Sequence, residues 1–322
     1  MTKKVVVTRR WPQAVEKALA QKYDVELNET DQPFDTNKMR ASLAQADAVL
    51  STVTDNLDAS VFESNEVSAE IIANFGVGFS HIDIEAARSK NIVVTNTPDV
   101  LNECTADLAI TLMLMINRRA GEGERELRAG KWSGWRPTHL IGSKMSGKTL
   151  GIIGFGRIGR ETAKRAHFGF GMPVIACNRS KIDPEALAES NATQVDSIDI
   201  LLSQADIVSL HCPGGQANKH LINAERLSLM KPDAFLINTA RGEVIDEQAL
   251  VNALENNRIA GAGLDVFENE PALCSGLTRL ENAVLLPHLG SATRETRENM
   301  GFRVIQNLDD YFANKRPGDC VT

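Results

Sequence analysis

The chain has 322 residues, of which 43% are hydrophobic and 24% charged, and its formal net charge is −7. These values predict a globular protein of two domains and argue against a nucleic-acid partner, because nucleic-acid binding usually needs a basic surface. The most apolar stretch, 108–116, is far shorter than the roughly 18 residues that cross a bilayer. No signal peptide follows the N-terminal lysines, so we expect a cytoplasmic protein with no membrane contact.

Five cysteines are spread along the chain, and none is paired in a C-x-x-C spacing. Free thiols in a reducing compartment fit this pattern better than disulfides or a structural zinc site. We therefore predict that the protein has no metal centre.

The first part of the chain alternates between short β-branched runs and helix-like segments. The strand candidates are 4–7, 48–50, 71–73 and 92–94, and the helix candidates are 12–22, 36–46, 58–64 and 83–90. Runs of this length and composition are typical of parallel strands that helices cover on both faces.

A long helix is predicted over 105–129, and a second alternating series begins near residue 149. Its strand candidates are 149–153, 173–177, 207–210, 234–238, 259–264 and 283–286. Six strands match a full dinucleotide-binding sheet. The predicted fold class is α/β, with two doubly wound parallel-sheet domains of which the second is a Rossmann domain. The last helical segment, 292–313, is expected to return to the first domain, which gives domains of 1–99 with 291–322 and of 100–290.

A glycine motif, G-x-G-x-x-G, lies directly after an apolar strand candidate and leads into a helix candidate. Its first glycine, Gly154, permits a tight turn, Gly156 lets the backbone approach a pyrophosphate, and Gly159 lets the helix pack closely on the strand. The helix N-terminus, with Arg157 and Ile158, offers N–H groups and a partial positive charge to phosphates. The motif predicts a dinucleotide site; the structural alternative is a glycine turn without a ligand.

The strand candidate 173–177 is followed by Asn178, Arg179 and Ser180, which we expect to bind the cofactor, and by Lys181. NAD-binding folds usually carry an acidic residue here, which binds the ribose 2′-hydroxyl. Arg179 and Lys181 could instead neutralise a 2′-phosphate, and Ser180 could donate a hydrogen bond to it. The turn therefore favours NADPH over NADH, and the alternative is a solvated turn that binds either cofactor.

Three further motifs follow strand candidates, so they fall at the carboxyl edge of the sheet, where open α/β sheets bind ligands. They are N-T-A-R-G around Arg241, G-L-D-V-F-E-N-E-P over 263–271, and P-H-L-G around His288. Reduction of a 2-oxo acid needs a cation for the carboxylate and carbonyl, which arginine supplies, and a proton donor, which histidine supplies. Taken singly, Arg241 could form a surface ion pair, His288 could be a core histidine, and Glu268 and Glu270 could be loop charges.

Together the motifs resemble the D-isomer-specific 2-hydroxyacid dehydrogenase family, most closely its glyoxylate/hydroxypyruvate reductase branch, over essentially the whole chain. The resemblance implies that Arg241 binds substrate, that His288 is the catalytic acid/base, and that Glu270 rather than Glu268 pairs with it. It also implies that 1–99 with 291–322 is the substrate-binding (catalytic) domain and 100–290 the NAD(P)-binding domain.

The resemblance assigns the remaining binding residues as well. The backbone N–H groups of Val77 and Gly78, in the turn F-G-V-G-F, would hold the substrate together with Arg241 and His288. Asp265 would contact the nicotinamide carboxamide. The other residues expected against the cofactor are His211, Cys212, Pro213, Thr239, Ala240, Arg241, His288 and Gly290.

Trp132 and Trp135 lie in the segment G-K-W-S-G-W-R-P. Similar reductases carry a tryptophan here that reaches the partner subunit's active site, and the alternative is an interface or core aromatic; both indicate a homodimer. The expected function is reduction of a small 2-oxo acid, such as glyoxylate or hydroxypyruvate, to the D-2-hydroxy acid by NADPH, with NADH as the alternative cofactor. The competing hypotheses are a dehydrogenase of another 2-hydroxy acid in the same family and a cofactor-sensing, corepressor-like binding protein. No role is assigned to His139, His167 and His220.

Overall fold

The computed structural model describes residues 2–64 and 66–322. The chain forms two compact units, Met1–Leu101 with Ala292–Thr322, and Asn102–Ser291. These limits lie within two residues of the predicted boundaries, and the binding roles assigned to the two domains stay predictions.

The first unit is built on a five-stranded parallel sheet. Its strands are β1 (Lys4–Val7), β2 (Asp24–Leu27), β3 (Ala48–Leu50), β4 (Ile71–Ala73) and β5 (Val93–Thr95), in the order β2-β1-β3-β4-β5. Its helices are α1 (Gln13–Lys22), α2 (Thr36–Gln45), α3 (Ile84–Ser89) and the C-terminal helix Arg294–Phe312. The C-terminal helix packs closely on α1, because a Cβ at Gly301 would lie 2.5 Å from a methyl of Val15. Apolar clusters fill both faces of the sheet.

The second unit is built on a seven-stranded parallel sheet. Its strands are β6 (Leu150–Ile153), β7 (Val174–Cys177), β8 (Ala192–Gln194), β9 (Ile207–Leu210), β10 (Phe235–Asn238), β11 (Gly261–Leu264) and β12 (Ala283–Leu285), in the order β8-β7-β6-β9-β10-β11-β12. Its helices are α4 (Asn102–Asn117), α5 (Ala120–Arg128), α6 (Arg157–Phe170), α7 (Pro184–Ala188), α8 (Ile198–Gln204), α9 (Ala224–Leu229) and α10 (Glu247–Glu255). Two large apolar clusters form its core. The predicted α/β class with two parallel-sheet units, the second of Rossmann type, is confirmed.

Two edge strands, β2 and β8, were not among the strand candidates. Each lies at the end of its sheet, and none of its residues is fully buried. An edge strand needs no continuous apolar run, so the hydrophobic pattern does not reveal it.

The helix predicted over 105–129 is two helices, α4 and α5, and this prediction was wrong. Arg119 between them has a φ of 52°, in the left-handed region. The segment after α5 crosses the end of α4 closely, since a Cβ at Gly142 would lie 2.2 Å from the carbonyl oxygen of Asn117. That carbonyl accepts the N–H of Ser143 at 2.7 Å, so α4 ends on a tertiary contact that sequence periodicity does not encode. Among the described residues, no helix has both the length and the apolar character that crossing a membrane would require.

Candidate active site

The turn between β6 and α6 has the geometry of a dinucleotide phosphate site. Gly154 has a φ of 92°, and a Cβ there would lie 2.6 Å from the backbone nitrogen of Cys212, so the turn requires glycine. A Cβ at Gly159 would lie 2.4 Å from the Gly154 carbonyl oxygen, which explains the close packing of α6 on β6. Gly156 differs, because no described atom outside its chain neighbours lies within 4 Å of its Cβ position. The open space at Gly156 adjoins the α6 N-terminus, which no described side chain caps. These are the features that a pyrophosphate site requires, and binding of a pyrophosphate there stays a prediction.

The turn lies at the switch point of the sheet. In the sheet, β6 has β7 on one side and β9 on the other, so the connections run in opposite directions from it. Open α/β sheets bind ligands outside the carboxyl ends of their strands at such a point. The loops that follow β6, β7, β9, β10, β11 and β12 all emerge at this edge.

The turn after β7 carries cations that have no carboxylate partner. Within the described residues, neither Arg179 nor Lys181 forms an ion pair, and both are exposed. Asp183, the next acid along the chain, instead caps α7 by accepting a backbone N–H. Asn178 Nδ2 donates to Ser180 Oγ at 3.3 Å, which leaves the Ser180 hydroxyl proton able to donate to an acceptor. The predicted 2′-phosphate residues are thus together on one turn.

The loop after β9 brings neutral groups to the same edge. Burial lowers the pKa of His211 to about 4, so its ring is neutral, and its Nε2 lies 2.9 Å from Ser209 Oγ. Burial raises the pKa of the Cys212 thiol to about 11, which makes it a poor nucleophile. The Pro213 carbonyl accepts from Asn218 Nδ2 at 2.9 Å. This loop can therefore form a wall against a cofactor but cannot supply charge.

Arg241 lies on a turn that the side chain of Asn238 shapes. At the end of β10, Asn238 Oδ1 accepts the N–H of Ala240 and its Nδ2 donates to the Arg241 carbonyl, both at 2.9 Å. Arg241 Nη1 donates to the Ala240 carbonyl at 2.6 Å. Burial lowers the pKa of Arg241, and the charges of Glu270 and Glu243 oppose the shift. The guanidinium stays charged, because arginine keeps its proton throughout the physiological pH range.

A direct backbone contact joins the Arg241 loop to the loop that carries Glu270. A Cβ at Gly242 would lie 1.8 Å from the carbonyl carbon of Phe267, so the two main chains touch here. Next to it, Glu243 Oε1 accepts the N–H of Gly215 at 2.6 Å, which ties in the loop after β9.

Asp265 follows β11 and holds the loop that carries His288. Its side chain is 1% exposed and accepts the N–H groups of Leu289 at 2.6 Å and Gly290 at 2.8 Å. Burial raises the pKa of Asp265, while these two N–H groups and the charge of His288 oppose the shift. Asp265 therefore positions the P-H-L-G loop, and its contact with the nicotinamide carboxamide stays a prediction.

His288 is in contact with Glu270, as the sequence predicts. His288 Nδ1 lies 2.8 Å from Glu270 Oε2, and the second carboxylate oxygen of Glu270 accepts the N–H of Phe267 at 2.9 Å. His288 has a φ of 54°, and its N–H donates to the carbonyls of Asp265 and Leu286. Non-glycine residues in this strained region often belong to functional sites. The Nδ1 contact leaves the opposite ring nitrogen, Nε2, available for a substrate.

The ionisation of Glu270 reflects its partners. Burial raises the pKa of Glu270, but the hydrogen bond and charge of His288, the Phe267 N–H and the charge of Arg241 together outweigh burial, and the net pKa is lowered. Glu270 is therefore a carboxylate at neutral pH. Arg241, Glu270 and His288 together provide a fixed cation and a proton donor that a carboxylate orients.

Glu268 has a different partner, which the sequence did not reveal. Its Oε1 lies 2.7 Å from His220 Nε2, and its backbone N–H donates to Glu247 Oε1 at 2.7 Å. His220 also donates its backbone N–H to the carbonyl of Glu243. These contacts hold the loop before Glu270, although His220 had no assigned role. No local sequence pattern pairs the two residues, because 47 residues separate His220 from Glu268 in the chain.

Comparisons with known proteins identify the family. Residues 110–290 match the model of the D-isomer specific 2-hydroxyacid dehydrogenase NAD binding domain. The chain is 43% identical to a glyoxylate reductase of Thermococcus litoralis, over all of this chain and 97% of that protein. The chain belongs to this dehydrogenase family. As a member it is a nicotinamide-dependent oxidoreductase that interconverts a 2-oxo acid and a 2-hydroxy acid.

Solved structures of the same dehydrogenase family agree with this assignment. One is an NADPH-dependent glyoxylate/hydroxypyruvate reductase of Sinorhizobium meliloti with NADP and malonate, 33% identical over 100% of this chain and 97% of that chain, with a TM-score of 0.88. Another is a glyoxylate reductase of Paecilomyes thermophila, 34% identical over 99% of this chain and 98% of that chain, with a TM-score of 0.87.

The dehydrogenase places Val77 and Gly78 in its first unit, on the loop after β4. Asn74 Nδ2 donates to the carbonyls of Gly76 at 3.1 Å and Gly78 at 3.0 Å, and Asn96 Nδ2 donates to the Val77 carbonyl at 2.8 Å. Within the described residues, the N–H groups of Val77 and Gly78 have no acceptor. Free N–H groups on adjacent residues can bind an anion, so the geometry suits the substrate-binding role, which stays a prediction.

The remaining predicted cofactor residues lie at the ends of second-unit elements. Arg157 and Ile158 are in the first turn of α6, Thr239 follows β10, and Gly290 follows β12, where its carbonyl accepts from Thr105 Oγ1 at 3.0 Å. Their contacts with a cofactor stay predictions. Among the described residues, no group of three or more His, Cys, Asp or Glu side chains is arranged to hold a metal ion.

Proposed function

We propose that this dehydrogenase reduces glyoxylate or hydroxypyruvate to the D-2-hydroxy acid, with NADPH as the preferred reductant. The observation that carries the proposal is the set of Arg241, Glu270 and His288 on adjacent loops at the carboxyl edge of the Rossmann sheet. The names of the similar reductases of Thermococcus litoralis and Sinorhizobium meliloti support the choice of substrate.

Each residue of the set has one task in the proposed mechanism. A bound nicotinamide supplies the hydride that reduces C2 of the substrate. Arg241 binds the carboxylate and carbonyl oxygens, because its guanidinium offers a rigid fork of donors. His288 donates a proton from Nε2 to the carbonyl oxygen, while Glu270 holds Nδ1 and stabilises the charged ring before the transfer. The N–H groups of Val77 and Gly78 are proposed as further carboxylate ligands.

The preference for NADPH rests on the turn after β7. Arg179 and Lys181 are cations without carboxylate partners in the described structure, and no acid ends β7. A 2′-phosphate would gain both charges and a hydrogen bond from Ser180. Among the described residues of this turn, a 2′-hydroxyl would find no carboxylate acceptor.

We also propose that the enzyme is a homodimer of the cytoplasm. The side chains of Trp135 and Trp132 are 82% and 51% exposed, and large exposed apolar groups commonly mark a contact surface. The five cysteines are free thiols, which supports a reducing compartment. Sedimentation equilibrium of the wild type and of Trp135→Ser tests the dimer, since a monomeric wild type would contradict it.

Cofactor oxidation by the purified protein tests the reductase. The loss of reduced-nicotinamide absorbance is followed with glyoxylate or hydroxypyruvate, and with NADPH and NADH in parallel. Turnover that prefers NADPH is the expected result. Turnover with only a bulky 2-oxo acid would show that the proposed substrate is wrong. Cofactor binding without turnover on any 2-oxo acid would favour the cofactor-sensing alternative.

A further inference from the structure

We infer that Gln194 is a specificity-determining positioning residue, which holds the turn of Asn178–Lys181 in the shape that binds a 2′-phosphate. Gln194 is the last residue of β8, the polar edge strand beside β7. The inference rests on the proposed use of NADPH and adds a residue that does not itself touch the phosphate.

The side chain of Gln194 bridges the turn with both of its polar atoms. Its Oε1 accepts the N–H of Ile182 at 2.9 Å, and its Nε2 donates to the carbonyl of Ser180 at 3.3 Å. The two bonded residues lie on either side of Lys181 in the chain. A single amide thus fixes the backbone on both sides of one cation and directly after the other, Arg179.

The amide is itself held in place by the sheet. Gln194 pairs with Ala176 of β7, and the N–H of Val195 donates to the Ala176 carbonyl at 2.9 Å. At the far end of the turn, Ile182 is 5% exposed and belongs to an apolar core cluster. Between these two anchors, Arg179, Ser180 and Lys181 are exposed. The Gln194 side chain links this segment to β8, and Asn178, which directly follows β7, adds a bond to the Ser180 hydroxyl.

An exposed turn with two long cations loses conformational freedom when it binds a phosphate. A turn that is already fixed by Gln194 loses less, so its affinity for the 2′-phosphate is higher. A ligand without the 2′-phosphate makes little contact with this turn, so its affinity depends little on whether Gln194 fixes the turn. Gln194 therefore affects discrimination between the two cofactors more than it affects affinity for the parts they share.

The test uses two ligands that differ only in the 2′-phosphate, adenosine 2′,5′-bisphosphate and adenosine 5′-monophosphate. Their dissociation constants are measured by calorimetry on the full-length protein and on Gln194→Met, which keeps the length of the side chain and removes both hydrogen bonds. We expect the bisphosphate to bind about tenfold more weakly to the variant, as two lost hydrogen bonds would produce, and the monophosphate within about twofold of wild type. The KM for NADPH should rise by a similar factor, with kcat nearly unchanged.

Thr193→Leu is the matched control, because Thr193 lies on the same strand with its side chain on the opposite face. Gln194→Ala serves as a second variant if Gln194→Met does not fold. Equal weakening of both ligands, or no weakening of either, would overturn the inference. The proposed NADPH preference is judged separately, from the wild-type ratio of the two cofactors. A wild-type enzyme that prefers NADH would refute the proposed preference for NADPH. The role of Gln194 would still be judged from the change in affinity for the bisphosphate relative to the monophosphate.

Discussion

Replacement of Glu270 by glutamine tests the proton-donor assignment most directly. The variant keeps the shape of the side chain and an oxygen that can still accept from His288 Nδ1, but it removes the negative charge. Hydrogen bonds to charged groups contribute about 1.5–3 kcal/mol, and each ~1.4 kcal/mol in the barrier is tenfold in rate. If that energy stabilises the charged ring before proton transfer, kcat/KM for the 2-oxo acid falls about 10- to 100-fold near neutral pH.

Glu268→Gln provides the control for this variant. Glu268 lies on the same loop, two residues earlier, and its carboxylate contacts His220 rather than His288. We expect its kcat/KM to stay within about threefold of wild type, as for a partly exposed ion pair. Both variants are assayed by cofactor oxidation, with NADPH affinity measured in parallel. A Glu270→Gln enzyme with wild-type kcat/KM, or one whose loss is matched by Glu268→Gln, would refute the role given to Glu270.

Three further outcomes follow from the same geometry. His288→Ala should lower turnover by about 10²–10⁴-fold while NADPH titration shows nearly wild-type affinity, and retained turnover would remove His288 as the acid/base. Gly154→Ala should lower the melting temperature because its Cβ meets a neighbouring backbone, whereas Gly156→Ala should melt like wild type and bind cofactor more weakly; equal melting of the two variants would contradict the different roles of the two glycines. Although burial raises the pKa of Asp206, the hydrogen bond and charge of Lys231 and the N–H of Thr149 outweigh burial, and the net pKa is lowered. The ionised Asp206 therefore stabilises the folded protein at pH values above its unfolded-state pKa. This stabilisation is lost as the pH falls through the folded-state pKa. Asp206→Asn should therefore destabilise the protein by about 1–2 kcal/mol at neutral pH and by less in acid, and urea titrations that show the same difference at both pH values would disprove this account.

The sequence predicted the strands in which every residue is buried. Runs such as Val5–Val7 and Leu150–Ile153 are buried along their whole length, so their apolar pattern is sufficient. Thr193 on β8 is exposed and its neighbours are half-buried, so that strand has no such pattern. It forms because β7 offers it a free edge, which is a property of the assembled sheet.

The candidate site divides in the same way. Gly154 and Gly159 could be identified because the constraint on each is local, and the pairing of His288 with Glu270 followed from a family motif. The contacts of His220 and Gln194 could not be predicted, because each joins two segments that the order of strands in the sheet brings together. The end of α4 at Asn117 likewise depends on a segment that returns across it.

The backbone contact at Gly242 has a consequence for the evolution of this enzyme. Because the main chains of Gly242 and Phe267 touch, insertions or bulkier residues in either loop would displace the other, and with it both Arg241 and Glu270. New substrate preferences are therefore expected to arise by exchange of side chains elsewhere around the pocket, while these two loops keep their lengths. A library for directed evolution should leave 241–243 and 266–270 unchanged and vary the surrounding positions.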